Sequence, residues 1–274
     1  SGKSCADFIS SVKIEIGGSE VDKQTGQWMD VWHALSKNAG HDTGYGYMTD
    51  GTSTESYIPL QFWFNRNPGL ALPLIALQYH DVRITVETGS VMSPTDAYLL
   101  VDYVYLDSDE RKRFAQASHE YLIEQIQDSG AESITTSDTK VRLNFNHPCK
   151  FLAVVPQSAT RLDTMKLTLN GHERFTTQNP SYFNNVQTYQ HFSNTPAGSA
   201  TGFSSSSNTL TAYLYSFALN PEEHQPSGTC NFSRIDNATL TLKSNSGTLT
   251  TNVYTMNYNV LRIMSGMGGL AYSN

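Results

Sequence analysis

The sequence predicts an all-β protein made of two tandem jelly-roll β-sandwiches, with two short helices. About a dozen short segments alternate apolar and polar side chains, the two-residue period of a half-buried strand. Clusters of Gly, Pro, Asn and Ser separate these segments at short intervals, as in sandwiches and barrels. Only two stretches have the period of a helix.

Composition narrows the functional classes. The chain has 274 residues and a formal net charge of −7, which argues against nucleic acid as a direct ligand because phosphate binding needs a basic surface. No apolar run approaches the roughly 20 residues of a membrane-spanning helix. Cys5, Cys149 and Cys230 are odd in number and lack metal-binding spacing. They predict free thiols in a reducing compartment and no disulfide framework.

The first half begins with a strand and a helix. Residues 11–16 alternate as a strand, and Gly17-Gly18 ends it. Apolar residues recur at three and four positions over 26–35, which predicts an amphipathic helix. Its Trp28 and Trp32 are interpreted as core residues, although paired tryptophans can also form a sugar-stacking platform. Further strands are predicted at 58–64, 72–77, 82–87 and 97–106.

A charged segment over 107–127 separates the two halves. Ser108 can cap a short helix whose first turn carries Asp109 and Glu110, the polarity that the helix dipole favours. We therefore predict a first domain over 1–116 and a second over 117–274. The boundary itself is expected between Asp107 and Glu120.

The second half repeats the strand pattern, with a turn predicted at Asn170-Gly171. The predicted strands are 122–126, 141–145, 150–155, 165–169, 210–219, 230–235, 238–242 and 254–260. Residues 179–208 form a long loop rich in Ser, Thr and Asn but also in aromatic residues, which indicates burial against a neighbouring molecule. The glycine-rich tail 264–274 is expected to lie along the surface.

Motifs for catalysis are absent from the sequence. His119-Glu120 and His172-Glu173 lack the second histidine of a zinc helix, and no nucleophile elbow is found. Glu222, Glu223 and His224 can be read as metal ligands or acid–base groups, but we interpret them as a hydrated loop that contacts other subunits. We therefore expect no enzyme activity, no metal and no cofactor.

One stretch is far more specific than its local physics. Residues 216–236 read Ser-Phe-Ala-Leu-Asn-Pro-Glu-Glu-His-Gln-Pro-Ser-Gly-Thr-Cys-Asn-Phe-Ser-Arg-Ile-Asp. This stretch closely resembles a signature of the double jelly-roll major capsid proteins of nucleocytoplasmic large DNA viruses. Residues 11–30, 72–83, 102–125 and 259–274 are similar to further segments of that family, in the same order along the chain.

The resemblance implies a structural protein of an icosahedral virion. Three family subunits form a pseudo-hexagonal capsomer, and capsomers tile a shell around an internal membrane and the genome. The implied partners are copies of the chain, neighbouring capsomers and minor capsid proteins, near the membrane but not spanning it. Assembly in the host cytoplasm is expected.

The aromatic loop leads to a prediction about assembly and to the rival functions. We expect its aromatic residues and the Glu-Glu-His loop at subunit contacts; these residues are Tyr182, Phe183, Tyr189, Phe192, Glu222, Glu223 and His224. Replacing the four aromatic residues with Ser is expected to weaken the trimer and spare the fold. A carbohydrate-binding β-sandwich is the first alternative, and a jelly-roll enzyme is the second.

The first sandwich is expected to be incomplete. Only about five strands are predicted before residue 116, against about eight in a jelly roll. We therefore expect a fragment or natural variant that lacks the opening strands and exposes apolar side chains. The candidates for that exposed face are Val12, Ile14, Phe62, Phe64, Val101 and Tyr103. Residues 1–116 alone should then aggregate, whereas 117–274 should fold.

Overall fold

The computed structural model describes residues 5–36, 39–49, 55–89, 97–157, 161–194, 203–204 and 209–273. The described chain divides into two compact units that alternate along the sequence. Unit 1 comprises Asp30–Tyr57 and Ile126–Tyr258. Unit 2 comprises, within the described residues, 5–29, 58–125 and 259–273.

Strands carry most of the regular structure, as predicted. They are β1 (Ile9–Ile16), β2 (Ser19–Thr25), β3 (Val82–Thr88), β4 (His119–Ile134), β5 (Thr139–Arg142), β6 (Pro148–Pro156), β7 (Leu162–Leu169), β8 (His172–Glu173), β9 (Phe203–Ser204), β10 (Thr209–Leu210), β11 (Tyr213–Ser216), β12 (Cys230–Asn231), β13 (Ala238–Ser244), β14 (Leu249–Met264) and β15 (Met267–Leu270).

Helices are more numerous than the two predicted. The α-helices are α1 (Cys5–Phe8), α2 (Gly26–Ser36), α3 (Ala39–Thr49), α4 (Trp63–Arg66), α5 (Ser108–Gln116) and α6 (Gln187–His191). Short 3₁₀ turns span Pro68–Leu70, Leu74–Ala76 and Phe232–Arg234, and a π-helix spans Tyr182–Val186. The predicted helix over 26–35 is α2, and its Trp28 and Trp32 are buried, as their interpretation as core residues requires.

Unit 2 contains a three-stranded antiparallel sheet in the order β2-β1-β3. Strand β1 is central, with Val12 opposite Gln24 on one side and Val86 on the other. Its alternating Val12, Ile14 and Ile16 are almost fully buried. The prediction that Val12 and Ile14 are exposed is therefore wrong, because both side chains are fully buried.

Of the other candidates for an exposed apolar face, some are exposed and some are not. Phe62 is buried against Trp63 and Phe64, which overturns its predicted exposure, and Phe64 is half-buried. Val101 and Tyr103 are 50% and 62% exposed, as expected. They belong to residues 97–106, where the structure has no strand, so the strand predicted there is wrong.

Two more strands predicted in the first half are replaced by turns. Residues 58–62 are irregular and lead into α4, and residues 72–77 contain the 3₁₀ turn Leu74–Ala76. Pro59 and Pro73 fall in these segments, and proline cannot donate a backbone hydrogen bond to a sheet. The predicted helix at 108 is α5, but Asp107 and not Ser108 occupies its N-cap position.

The glycine-rich tail is a strand, which corrects the prediction of a surface segment. Strand β15 pairs with the end of β14, with Leu261 opposite Leu270. Gly268 is buried, and a Cβ on it would lie 2.7 Å from the side chain of Leu77. The Nδ1 atom of His80 lies 2.9 Å from its carbonyl oxygen. Glycine at 268 therefore permits the tail to pack closely against Leu77 within unit 2.

Unit 1 is a β-sandwich. One sheet places β11 beside β6 and β6 beside β14, with β12 also on β6 and β4 on β14; the other has the order β5-β13-β7-β8. Both sheets contribute to one apolar core, for example Leu152 and Val253 from the first and Leu167 and Leu240 from the second. The predicted turn at Asn170-Gly171 is confirmed: both residues have positive φ and join β7 to β8.

The predicted domain boundary and the compact units are different divisions of the chain. Helix α5 ends at Gln116, the last residue of the predicted first domain. The compact units are interleaved, because Asp30–Tyr57 belongs with Ile126–Tyr258. The division into 1–116 and 117–274 stays a prediction.

Candidate assembly surface

Two neighbouring segments of unit 1 carry all seven residues predicted at subunit contacts. The first, the aromatic segment, spans residues 181–194, and the second, the acidic loop, spans residues 217–229. The aromatic segment was predicted as a loop but is helical, as the π-helix Tyr182–Val186 followed by α6. The Thr188 hydroxyl donates to the Asn184 carbonyl at 2.6 Å, which satisfies a backbone acceptor inside this turn.

Phe183 and Phe192 are buried in the subunit, which argues against their prediction as contact residues. Phe183 is fully buried, with its ring 5.2 Å from that of Phe175. Phe192 is 7% exposed and meets Phe151 edge-to-face at 5.4 Å. Burial of each ring within its own sandwich stabilises the fold of the subunit.

Tyr189 and Tyr182 remain at the surface. Tyr189 is 78% exposed, as is expected in the isolated subunit for a residue that contacts another molecule. Tyr182 is half-buried, and its hydroxyl accepts from Gln187 Nε2 at 3.1 Å. Gln187 Oε1 in turn accepts from the Ser216 backbone N–H at 3.0 Å, which fixes the helical turn against β11.

The acidic loop is closed by its own polar residues. The backbone N–H of Asn220 donates to the Ser227 hydroxyl at 3.0 Å, and the N–H of Glu223 donates to the Asn220 carbonyl at 3.3 Å. Gly228 ends the loop with φ 145°, and a Cβ there would lie 2.6 Å from the Phe217 carbonyl oxygen. The loop is therefore a defined turn.

Glu222 joins the two segments. Its carboxylate accepts from the Ser193 backbone N–H at 2.8 Å and also from the Ser193 hydroxyl. His191 Nδ1 lies 2.9 Å from the Leu219 carbonyl oxygen. The predicted contact residue Glu222 thus has a role within the subunit, which is to hold the aromatic segment beside the acidic loop.

Glu223 and His224 are anchored through their backbone. Lys150 Nζ donates to the Glu223 carbonyl at 2.8 Å, and the Tyr258 hydroxyl donates to the His224 carbonyl at 3.1 Å. Lys150 Nζ also lies 4.9 Å from the centre of the Tyr258 ring, within the range of a cation–π contact. The Glu223 side chain is exposed, whereas His224 is half-buried.

Two exposed apolar residues of these segments were missed by the sequence reasoning. Val186 is 40% exposed and Leu219 is 69% exposed. Val186 and Tyr189 are three positions apart in the helical turn, so they share one face. Leu219 falls in the strand predicted over 210–219, but β11 ends at Ser216 and the alternation stops there. We call Val186, Tyr189 and Leu219 the apolar patch.

Two tyrosines of β11 have raised pKa values. Burial raises the pKa of Tyr213, whose hydroxyl accepts from the Leu162 backbone N–H at 3.2 Å. Burial also raises the pKa of Tyr215, against a smaller opposing effect of Arg174. Both phenols therefore stay protonated at neutral pH.

The described part of the chain contains neither a cluster of metal ligands nor a helix that could span a membrane. No three His, Cys, Asp or Glu side chains within it are grouped to hold a metal ion. None of its helices has the length and hydropathy needed to cross a bilayer.

Two protein-family models match most of the chain. The model described as "Major capsid protein N-terminus" matches residues 4–107. The model described as "Large eukaryotic DNA virus major capsid protein" matches residues 110–163 and 156–269. The chain belongs to this major capsid protein family. Its members are structural proteins and not enzymes, so the function predicted from the resemblance is confirmed at the level of the family.

Two relatives show the same over nearly the whole chain. The major capsid protein of Pyramimonas orientalis virus is 50% identical, over 97% of this chain and 77% of the relative. That of Paramecium bursaria Chlorella virus 1 is 39% identical, over 98% and 79%. The alignments run over 307 and 361 positions, more than the 274 residues here, so these major capsid proteins carry segments that this chain lacks.

A solved structure of the family confirms the fold class. The quasi-atomic model of the PBCV-1 virus capsid contains a chain that matches with a TM-score of 0.81 at 36% identity. The match covers 98% of this chain and 84% of that chain. The structural neighbours are double jelly-roll capsid proteins, so the all-β double jelly-roll class predicted from the sequence is correct.

Proposed function

We propose that this chain is the shell-forming subunit of an icosahedral large double-stranded DNA virus, and that three copies form a pseudo-hexagonal capsomer. The observation that carries the proposal is the match, over 98% of the chain, to a chain of the PBCV-1 virus capsid. Two sandwiches per chain in a three-fold object give six similar units around the axis. This arrangement matches a hexagonal lattice.

The division into tandem jelly rolls at 116/117 is part of this proposal. The two family models meet between residues 107 and 110, next to the start of α5 at Ser108. Their meeting point supports a first jelly roll before α5 and a second one after it. Cutting at this point does not separate the compact units, because each unit contains chain segments from both sides of the cut.

The assembly contact is proposed at the apolar patch with its acidic rim. Tyr189 and Leu219 are each more than two-thirds exposed, and Glu222 holds their two segments together. An exposed apolar centre beside polar groups is the usual anatomy of a protein–protein contact. Of the seven predicted contact residues, Tyr182, Tyr189, Glu222, Glu223 and His224 remain candidates.

The proposed partners and location follow from the proposed role as a shell subunit. Neighbouring capsomers and minor capsid proteins are the proposed partners, in a virion shell assembled in the host cytoplasm over an internal membrane. A net charge of −7 supports contacts with proteins and no direct binding of the genome.

The proposal is tested by electron microscopy of the purified full chain. We expect class averages with a hexagonal outline and three-fold symmetry, and a solution mass near three times 30.4 kDa. A monodisperse monomer at micromolar concentration, with no ordered arrays on crowding, would overturn the proposal.

The carbohydrate-binding alternative has less support than the capsid function. It was motivated by the aromatic-rich loop 179–208, in which Phe183 and Phe192 are buried in the core and Tyr189 is exposed. Trp28 and Trp32 are also buried and have no face for a sugar ring. A glycan array with no binding is the expected result.

A further inference from the structure

Two of the three cysteines face each other across neighbouring strands. Strand β12 pairs with β6 in antiparallel fashion, and the register places Cys230 directly opposite Cys149. Residues directly opposite in an antiparallel pair point their side chains to the same face of the sheet. The two thiols therefore lie side by side, although they are 81 positions apart in the sequence.

Both thiols face the core of unit 1. Cys149 is fully buried within the core, and Cys230 is partly buried and packs against the same cluster. Burial, with a smaller contribution from the nearby Cys230 and against an opposing hydrogen bond with Thr255, raises the pKa of Cys149 to about 12. Burial also raises the pKa of Cys230, which Arg174 partly opposes. Cys230 is thus the thiol that an external reagent can reach first.

We propose that Cys149 and Cys230 are an oxidation site, which closes to an intramolecular disulfide in the presence of a small-molecule disulfide. The Cys230 thiolate attacks the reagent and releases one thiol, giving a mixed disulfide. The Cys149 sulfur, as its thiolate, then displaces the second thiol. Two protein thiols lose two protons and two electrons, and the reagent is reduced to two thiols.

The geometry predicts a strained bond. The Phe232 backbone N–H donates to the His147 carbonyl at 3.0 Å, two residues along from the cysteine pair in the same register. Cys149 and Cys230 are therefore a hydrogen-bonded pair, with Cα atoms about 5.5 Å apart, inside the disulfide range. Their Cβ atoms start farther apart than a relaxed disulfide needs, so β12 must shift inward.

Closure acts on the acidic loop. Strand β12 begins directly after that loop, and Lys150, the neighbour of Cys149, already holds the loop through the Glu223 carbonyl at 2.8 Å. A disulfide at 149–230 would fasten the end of the loop to β6 covalently. The inference rests on the geometry of unit 1 and is independent of the proposed capsid function.

The test is to incubate the native full chain with oxidised glutathione, then denature it and label the free thiols with a maleimide. We expect one labelled thiol in place of three, a mass lower by two hydrogen atoms, and a proteolytic fragment that joins Cys149 to Cys230. Because the bond is strained, dilute dithiothreitol should reopen it readily.

Two variants separate this pair from other thiol chemistry. Cys5→Ala should leave the closure unchanged, with no labelled thiol remaining after oxidation. Cys230→Ser should abolish it and leave two labelled thiols. Three labelled thiols in the oxidised native chain, a stable glutathione adduct on Cys230, or a link that includes Cys5 would each overturn the proposal.

Discussion

Burial separates two aromatic residues that lie six positions apart in the same helical segment. Phe183 is fully buried against Phe175, whereas Tyr189 is 78% exposed. Removing Phe183 leaves a cavity in the sandwich core, whereas removing Tyr189 changes only the surface. The two positions therefore distinguish residues that hold the fold from residues available for assembly.

Phe183→Ala is expected to lower the free energy of unfolding by about 3–5 kcal/mol, the usual cost of a buried Phe truncation. Tyr189→Ala is the matched control and should change it by no more than about 0.5 kcal/mol. Urea unfolding of both variants followed by far-UV circular dichroism gives the comparison. Equal losses would mean that Tyr189 is also part of the core.

A buried ion pair in unit 2 offers a second residue-level test. Arg66 of α4 contacts Glu124 of β4 at 2.8 Å, and the Glu124 side chain is only 3% exposed. Arg66→Met leaves the Glu124 charge buried without this arginine and should cost about 3–5 kcal/mol. Thermal unfolding should show most of this loss recovered in Arg66→Met/Glu124→Leu. A double variant as unstable as the single one would contradict this account.

At the scale of elements, Gly228 constrains the backbone of the acidic loop. Its φ is 145°, and an added Cβ would meet the Phe217 carbonyl oxygen at 2.6 Å. Gly247 is the matched control, because it also has a positive φ, 63°, but nothing within 4 Å of an added Cβ.

Gly247→Ala should cost about 1–2 kcal/mol from backbone conformation alone. Gly228→Ala should cost more, because the loop backbone must also move. Denaturant midpoints measure both, and hydrogen exchange should show faster exchange confined to the acidic loop in Gly228→Ala. Similar costs for the two variants would mean that the loop adapts without strain.

Periodicity predicted the strands well where an alternating segment has a pairing partner in a sheet and contains no proline. Strands β1, β3, β7 and β13 follow their alternating patterns. The segment 97–106 also alternates but has no strand in the structure, because a strand needs a neighbour for its backbone groups and the pattern does not supply one. For the glycine-rich tail the error was the opposite: no strand was predicted, but β15 forms there because it pairs with β14.

The candidate site was predicted only in part for a related reason. The sequence located both segments, and Tyr189 is exposed, as a contact residue has to be, while the contact itself stays a prediction. It missed that Phe192 packs on Phe151, 41 positions earlier, and that Glu222 binds Ser193. Burial depends on contacts between distant residues, which composition and local spacing do not contain.

At the scale of the whole molecule, the interleaved units change the expectation for separated halves. Trp32 stacks on Phe151 at 6.4 Å, and Asn194 Nδ2 donates to the Ala34 carbonyl at 2.8 Å. Both contacts lie within unit 1, and both are lost when the chain is cut between 116 and 117. The second half alone would expose the surface that α2 covers.

We therefore expect 117–274 expressed alone to melt several degrees below the same region in the full chain. A Trp32→Ala variant of the full chain should reproduce part of the loss, and Tyr47→Ala, whose side chain is 77% exposed, should not. Differential scanning calorimetry gives the three comparisons. An unchanged melting temperature for 117–274 would support the original expectation of an independent second half.

The central claim, that copies of this chain associate through the apolar patch, is tested most directly by the trimer dissociation constant. Native mass spectrometry over a dilution series should show trimers of the unchanged chain. In Tyr189→Ser/Leu219→Ser, the trimer dissociation constant should rise at least tenfold, which corresponds to about 1.4 kcal/mol. Tyr47→Ser, an equally exposed tyrosine outside both segments, should leave the constant unchanged. Trimers that dissociate equally in all three proteins would contradict the claim.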